Sequence, residues 1–459
     1  MMLSRIPGYA WGLLAMTIWG GAILAFGLVR FEPYGLDEGA ARGLLLNWSV
    51  VDNIANPIVI FGVPDFRALL FVPLGLYWSG SLIAAKVFTL IMAFCAVWLL
   101  YISNRQTIGA EAALIASALL LVSPLMITQI DAMGVAPYLL LVFGLGLWLD
   151  KKYRAVERPL SGFFFQQLLL SAVSVSLHPA GLAYPAALVW RWYREPAETR
   201  QKRHVYMLAG TLVAAVLALI LRMGWPGMAW WSNPFATLGL VNLGNQLEDP
   251  SWLLATVSAA LLIWVLILER RTLLGDLMGS MLLFGLLIGL AAADAAWAML
   301  GLALVLYRGV PRLIAVNQSL NRNSLTGQRG LVMAALVMTA TFFMLADKNY
   351  ARIVSNNVLS PQDQLIRALA DLAADSKQPF RAASQWPARS MIACKRDVLP
   401  LPPPAKDGET LLNSIKGITH LAFNPYEPAN RELGRNIAEL GGKTQTLALQ
   451  AGGAIIKIK

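Results

Sequence analysis

Charge is scarce in this chain: only 14% of its 459 residues are Asp, Glu, Lys or Arg. A soluble domain usually carries about a quarter, so the composition argues against an ordinary cytosolic enzyme. Cysteine is scarcer still. Cys95 lies in an apolar run and Cys394 in a polar tail, which excludes a disulfide scaffold. Neither belongs to a CxxC or a Cys/His cluster, so the sequence offers no structural zinc site. There is no GxxxxGK[ST] phosphate loop and no HExxH, which removes P-loop ATP hydrolysis and zincin chemistry. Gly452–Gly453 reads as a turn, and no internal repeat is visible.

What the chain has is apolar length. It is 57% hydrophobic, with a mean hydropathy of +0.58. Apolar runs fall at 11–29, 81–102, 111–129, 134–149, 163–178, 181–193, 205–221, 252–268, 275–292, 295–307 and 331–346. At 1.5 Å per residue, runs of this kind match a bilayer core about 30 Å thick. The reading is therefore a polytopic α-helical membrane protein with about eleven transmembrane helices. The first run, Trp11–Val29, is too long for a signal-peptide core and is read as a retained helix. Threading the chain through the bilayer puts seventeen Lys and Arg in loops on one side and four on the other. That asymmetry sets the N-terminus in the cytoplasm and residues after 346 outside. It also accounts for the net charge of +11 without a nucleic-acid partner.

Three outer stretches remain: loops at 30–80 and 222–251, and the tail 347–459. Phe66–Trp78 is apolar but too short to cross, so it is expected along the bilayer surface. The tail reads as a small α/β extracytoplasmic domain. Leu365, Ile366, Leu369 and Leu372 have helical spacing within Gln362–Asp375, and a second amphipathic helix is expected at Ala429–Leu440. Strands are expected at Ser390–Cys394 and Ile418–Phe423, separated by a Pro-rich linker, Leu399–Pro404. A closing hairpin is expected at Gln445–Gln450 and Ala454–Lys459.

The residues best suited to chemistry are Asp37 and Glu38, two carboxylates at the outer end of the first helix. A partly buried Asp can take a proton from an attacking hydroxyl, and its neighbour can help to hold a divalent cation. The structural alternative is that the pair caps a short helix. Lys86 opens the second span on the same side, where it can meet a phosphate or snorkel to the interface. His178, in SLHPAG between two spans, can bind a donor or serve only as a turn residue. Arg67 and Arg42 can meet phosphate or stay solvated, and Glu248–Asp249 are a further polar pair before the eighth span. Asp131 and Asp52 can help to bind a sugar, but read first as facing water. Trp225, Trp230 and Trp231 read as an interfacial belt.

An acidic pair just after the first transmembrane helix resembles the signature of GT-C glycosyltransferases. These polytopic enzymes use polyprenyl-phosphate sugars and include protein O-mannosyltransferases and lipid A aminoarabinose transferases. Asn56-Pro57 and Phe66–Trp78 resemble the family's "HPP" segment and surface helix. Ser81–Lys86 and Val87–Leu100 resemble its "ALR" opening and second helix, with Lys86 in place of Arg. The likeness runs over about residues 10–200.

The resemblance implies that a sugar moves from a polyprenyl-phosphate donor to a hydroxyl of a glycan, lipid or protein, at the outer face of a bacterial inner membrane. It gives Asp37 the role of general base and Glu38 that of companion, both being the metal ligands should a divalent cation be required. It gives Lys86 and His178 contact with the donor phosphate. A periplasmic C-terminal domain also fits the family. The competing class is a non-enzymatic transporter, flippase or assembly factor for envelope glycopolymers. Its expected signature is ionisable residues near the bilayer midplane and paired repeats, and the spans here carry few charges.

Overall fold

Helices that are apolar all round have no face to give to water, and α1 (Gly8–Ala25), α4 (Ala110–Leu121) and α9 (Leu277–Gly289) are of this kind. The computed structural model describes residues 8–47, 67, 70–71, 82–154, 161–194, 209–213, 267, 273–289, 295–320, 326–376, 380–403, 405–427, 430–450 and 453–459. Two units emerge. The first comprises residues 1–29, 87–130 and 134–352, and the second residues 30–86, 131–133 and 353–459.

Between α1 and α4 come α2 (Glu38–Asn47) and α3 (Leu82–Asn104). Beyond α4 lie α5 (Pro124–Asp131), α6 (Ala136–Arg154), α7 (Ser161–Leu177) and, past a 3-10 turn at Pro179–Leu182, α8 (Ala183–Arg194). Then come α10 (Ala295–Leu320) and α11 (Thr326–Ser355). Among the described residues, α3 and the Ala298–Ala315 part of α10 are long and apolar enough to cross a membrane. The α4–α5 pair makes a third if counted as one bent span. The expected runs 205–221 and 252–268 lie almost wholly outside the described residues, as does most of Phe66–Trp78, of which Arg67, Leu70 and Phe71 are helical.

Three boundaries differ from expectation for visible reasons. The 111–129 run bends by 50° where Pro124 begins a new helix, because proline cannot donate back into the preceding turn. The 295–307 run extends to Leu320. The 331–346 run continues to Ser355, since no Gly or Pro occurs until Pro361, so the boundary expected at 347 falls inside a helix. Within the first unit, small residues admit close neighbours: Gly285 faces Leu300, and Gly144 faces Leu99. Buried hydroxyls pair as Ser117–Tyr307 at 2.6 Å and Thr89–Tyr138 at 2.7 Å.

The second unit is built on a five-stranded sheet ordered β2-β1-β3-β5-β4. Its strands are β1 (Ala382–Ser384), β2 (Val398–Pro400), β3 (His420–Phe423), β4 (Thr444–Gln450) and β5 (Gly453–Ile458). β1 pairs in parallel with β2 and β3, and β5 runs antiparallel to β3 and β4. Register and alternation sort the faces. Ala383, Leu421, Phe423, Ala454 and Ile456 share one face and form a core with α14 (Gly408–Ser414) and α15 (Arg431–Glu439). α12 (Pro361–Asp375) packs against β3, β4 and β5, and α13 (Pro387–Cys394) against β1 and β2. Gly453 lacks the Cβ that would collide with Leu365 of α12. The expected strand at Ser390–Cys394 is instead helical: Pro387 supplies the fixed φ of a first turn, and Lys395 closes the helix in the left-handed region.

Candidate active site

The second unit contains the stretch just after α1. Asp37 is the N-cap of α2: its Oδ1 accepts the Ala40 amide at 3.0 Å, and its carbonyl accepts from Ala41. The capping alternative is therefore correct, but capping is not the whole of its environment. Arg67 Nη2 lies 2.7 Å from the same Oδ1, and Nη1 of that guanidinium donates to the Met133 carbonyl at 2.9 Å. Met133 holds that carbonyl from a left-handed backbone, φ 53°. The Asp37 amide in turn donates to Ala132 at 2.8 Å. Arg67 is 3% exposed, so the solvated-arginine expectation fails. The Asp37 side chain is 39% accessible. Burial pushes its carboxyl up, but the Arg67 guanidinium and the Ala40 and Gly39 amides outweigh that and hold it below the ordinary carboxylate value.

A second charged group sits beside this turn. Asp131, expected in water, is 1% exposed. It accepts the Arg30 amide at 2.6 Å and Lys86 Nζ at 2.9 Å, with Arg30 Nε at 3.7 Å. Lys86 is itself 1% exposed, so it neither snorkels nor hangs free. A Cβ on Gly35, whose φ is +73°, would lie 3.9 Å from Asp131, which brings this cluster against the turn that carries Asp37. Among the described residues, two cations, Arg30 and Lys86, thus share the Asp131 carboxylate in a poorly solvated place.

Glu38 has different partners from those expected. Its two oxygens accept the amides of Ala388, at 2.8 Å, and Arg389, at 3.3 Å, and Arg42 approaches at 3.8 Å. Burial pushes its carboxyl up, against the pull of those amides and of Arg42. Asp363, 3% exposed, receives the Gly35 amide at 3.1 Å and forms an ion pair with Arg389. Asp37 is thus turned to Arg67 and Glu38 to backbone amides. Among the described residues, no three of His, Cys, Asp and Glu converge.

His178 belongs to the first unit. It is 5% exposed and caps the Pro179–Leu182 turn, its Nδ1 accepting the Ala180 amide at 3.1 Å. Asp52, Asn56-Pro57, the three loop tryptophans, Glu248 and Asp249 lie outside the described residues. Sequence reasoning missed Arg30, Asp363 and Arg389. Of these only Asp363 has a local signal, the Ser360-Pro361-Gln362-Asp363 helix start, where Ser360 Oγ accepts the Asp363 amide.

No family model matches this chain, and no curated protein sequence matches it. Solved structures do. ArnT from Cupriavidus metallidurans aligns in its apo state with a TM-score of 0.55 at 11% identity, over 98% of both chains. Its complex with undecaprenyl phosphate aligns with a TM-score of 0.52 at 10% identity, again over 98% of both. The archaeal oligosaccharyltransferase AglB from Archaeoglobus fulgidus, in complex with an inhibitory peptide and a dolichol-phosphate, aligns with a TM-score of 0.50 at 11% identity. That alignment covers 90% of this chain and 69% of AglB. The ArnT alignments run over nearly the whole of both chains, so this chain shares the fold of ArnT, with the acidic turn following its first helix.

Proposed function

We propose that this chain is an integral-membrane glycosyltransferase that moves a sugar from a polyprenyl-phosphate donor to an acceptor hydroxyl at the outer face of a bacterial inner membrane. The observation that carries the reading is Asp37: an accessible carboxylate kept ionised by the buried Arg67. The acceptor hydroxyl gives its proton to Asp37 as its oxygen bonds to the anomeric carbon. The bond from that carbon to the phosphate oxygen breaks, and the lipid phosphate leaves with the electron pair. Its pairing with Arg67 makes Asp37 a weak base, which suits a transition state in which the sugar is already oxocarbenium-like and the proton moves late.

The Arg30–Lys86–Asp131 cluster supports an anionic donor. A phosphodiester carries one negative charge, and the phosphate monoester left behind carries up to two near neutral pH. The cations of the cluster therefore attract the leaving group, with its greater charge, more than the donor, which is the condition for acceleration. Residence in the membrane is a consequence of the donor, whose lipid tail cannot leave it. The small domain after residue 355 faces the same outer side in this reading, and the acceptor is a glycan, lipid or protein.

The test is Asp37→Asn against Asp249→Asn in native membranes, monitoring consumption of polyprenyl-phosphate-linked sugars. Asp37→Asn abolishes transfer with no loss of folded protein, since Asn caps a helix as well as Asp, while Asp249→Asn keeps activity. Equal activity in both variants removes Asp37 from the chemistry.

A further inference from the structure

α13 has a defect that its own sequence does not repair. Its N-cap residue, Trp386, makes no side-chain capping bond, and the first-turn amides of a helix need acceptors from outside it. Pro387 has no amide to satisfy. Ser390 donates to the Trp386 carbonyl at 2.9 Å. That leaves Ala388 and Arg389, and both donate to Glu38, about 350 positions earlier in the chain. Glu38 is thus the cap of a helix in the C-terminal domain.

The other flank of Asp37 is fastened to the same domain. The Gly35 amide donates to Asp363 Oδ1 at 3.1 Å, and the Asp363 carboxylate is also paired with Arg389 Nη2. Arg389 therefore contributes its amide to Glu38 and its guanidinium to Asp363. The result is a closed circuit, Gly35–Asp363–Arg389–Glu38, with Asp37 inside it. Asp363 is 3% and Arg389 7% exposed, so water competes poorly for these bonds. Gly35 reaches Asp363 from a left-handed backbone, a conformation that side chains other than glycine rarely adopt.

We infer that Asp363 and Arg389 of the C-terminal domain, acting through Gly35 and Glu38, are positioning residues that hold Asp37 at its working geometry. This gives the C-terminal domain a direct part in the reaction, and gives Glu38, expected as companion to Asp37, the part of clasp between turn and domain. The inference rests on Asp37 being the base proposed above. A base displaced by about 1 Å can lose about a hundredfold in rate, which is the scale on which two anchored flanks matter.

The experiment uses the full-length protein in nanodiscs, with turnover measured on polyprenyl-phosphate-linked sugars and amide hydrogen exchange measured alongside. Asp363→Ala and Glu38→Ala are each expected to lower kcat by about tenfold to a hundredfold while the donor KM stays within about twofold. Gly35 loses exchange protection in the first variant, and Ala388 and Arg389 lose it in the second. Asp363→Asn and Glu38→Gln keep an acceptor oxygen and recover most of the lost turnover. Asp407→Asn is the control, since Asp407 caps α14 through Thr410 at 2.7 Å, elsewhere in the same domain; it leaves kcat unchanged. A normal kcat in Asp363→Ala with Gly35 deprotected overturns the inference. So does an Asp407→Asn loss equal to that of Asp363→Ala, which reduces the effect to general destabilisation. An inactive Asp37→Asn beside a normal Asp363→Ala overturns the positioning role alone, whereas a fully active Asp37→Asn overturns the catalytic reading beneath it.

Discussion

Asp37 and His178 both stand where an apolar helix gives way to a turn, and each caps the helical segment on its C-terminal side. Asp37 accepts the Ala40 amide and His178 the Ala180 amide. The difference lies in who else is present. The Asp37 turn is held by residues far away in sequence: Arg67, Ala132, Asp363 and Arg389. The bonds described at the His178 turn include local ones, Ser174 Oγ donating to the Gly181 carbonyl at 2.9 Å and the Gly181 amide to the His178 carbonyl, and the turn packs against α9. A turn that only reverses the chain needs its own backbone. One that must hold a carboxylate in a fixed charge state recruits partners from several segments.

Asp37→Asn breaks that contrast most severely. It preserves the cap and removes the base, so turnover falls by about 10²- to 10⁴-fold, while the thermal midpoint falls only by what the lost ion pair with Arg67 contributed. Arg389→Ala tests the anchoring side. It leaves Asp363 buried and unpaired at a cost of about 3–5 kcal/mol, read as a clear drop in the unfolding midpoint of the C-terminal domain. Replacing Asp363 and Arg389 together with Leu and Met recovers much of that stability but not the activity.

Arg67→Gln sharpens the electrostatic part. With Arg67 present, the lowered Asp37 carboxyl contributes stability above the ordinary value of 3.8, and that contribution is lost only as pH falls through the lower folded value. Without Arg67, burial is opposed only by backbone amides, so the acid limb of the pH–rate profile moves to higher pH. Lys86→Met removes one of the cations beside Asp131 and is expected to weaken donor binding about tenfold, with a smaller effect on acceptor KM. His178→Asn should change least, within about twofold in turnover, because Asn keeps an acceptor for Ala180. A large loss there would erase the distinction between the two turns.

Much of this was legible from residue order alone. Apolar runs gave the helical bundle, and helical spacing gave α12, which begins one residue before the predicted start. The closing hairpin also matches, as β4 and β5. Asp37 was visible because two carboxylates interrupt apolar sequence. Its partners were not. Arg67 reads as an ordinary loop arginine until the 131–133 backbone is brought to it, and Asp131 reads as solvated until Lys86 and Arg30 close over it. Arg389 has no local pattern, since it matters only through its bonds to Asp363 and Glu38. The 390–394 error has the same root: a short apolar run fits strand or helix, and Pro387 with a distant Glu38 decided for helix.

The most direct test of the central claim separates binding from chemistry in one protein. Purified Asp37→Asn and wild-type protein would be loaded with radiolabelled undecaprenyl-phosphate sugars, then assayed for retained donor and for a single turnover on addition of acceptor. The account predicts equal donor retention and a product burst slowed at least about a hundredfold in the variant. Equal bursts in the two proteins would contradict it.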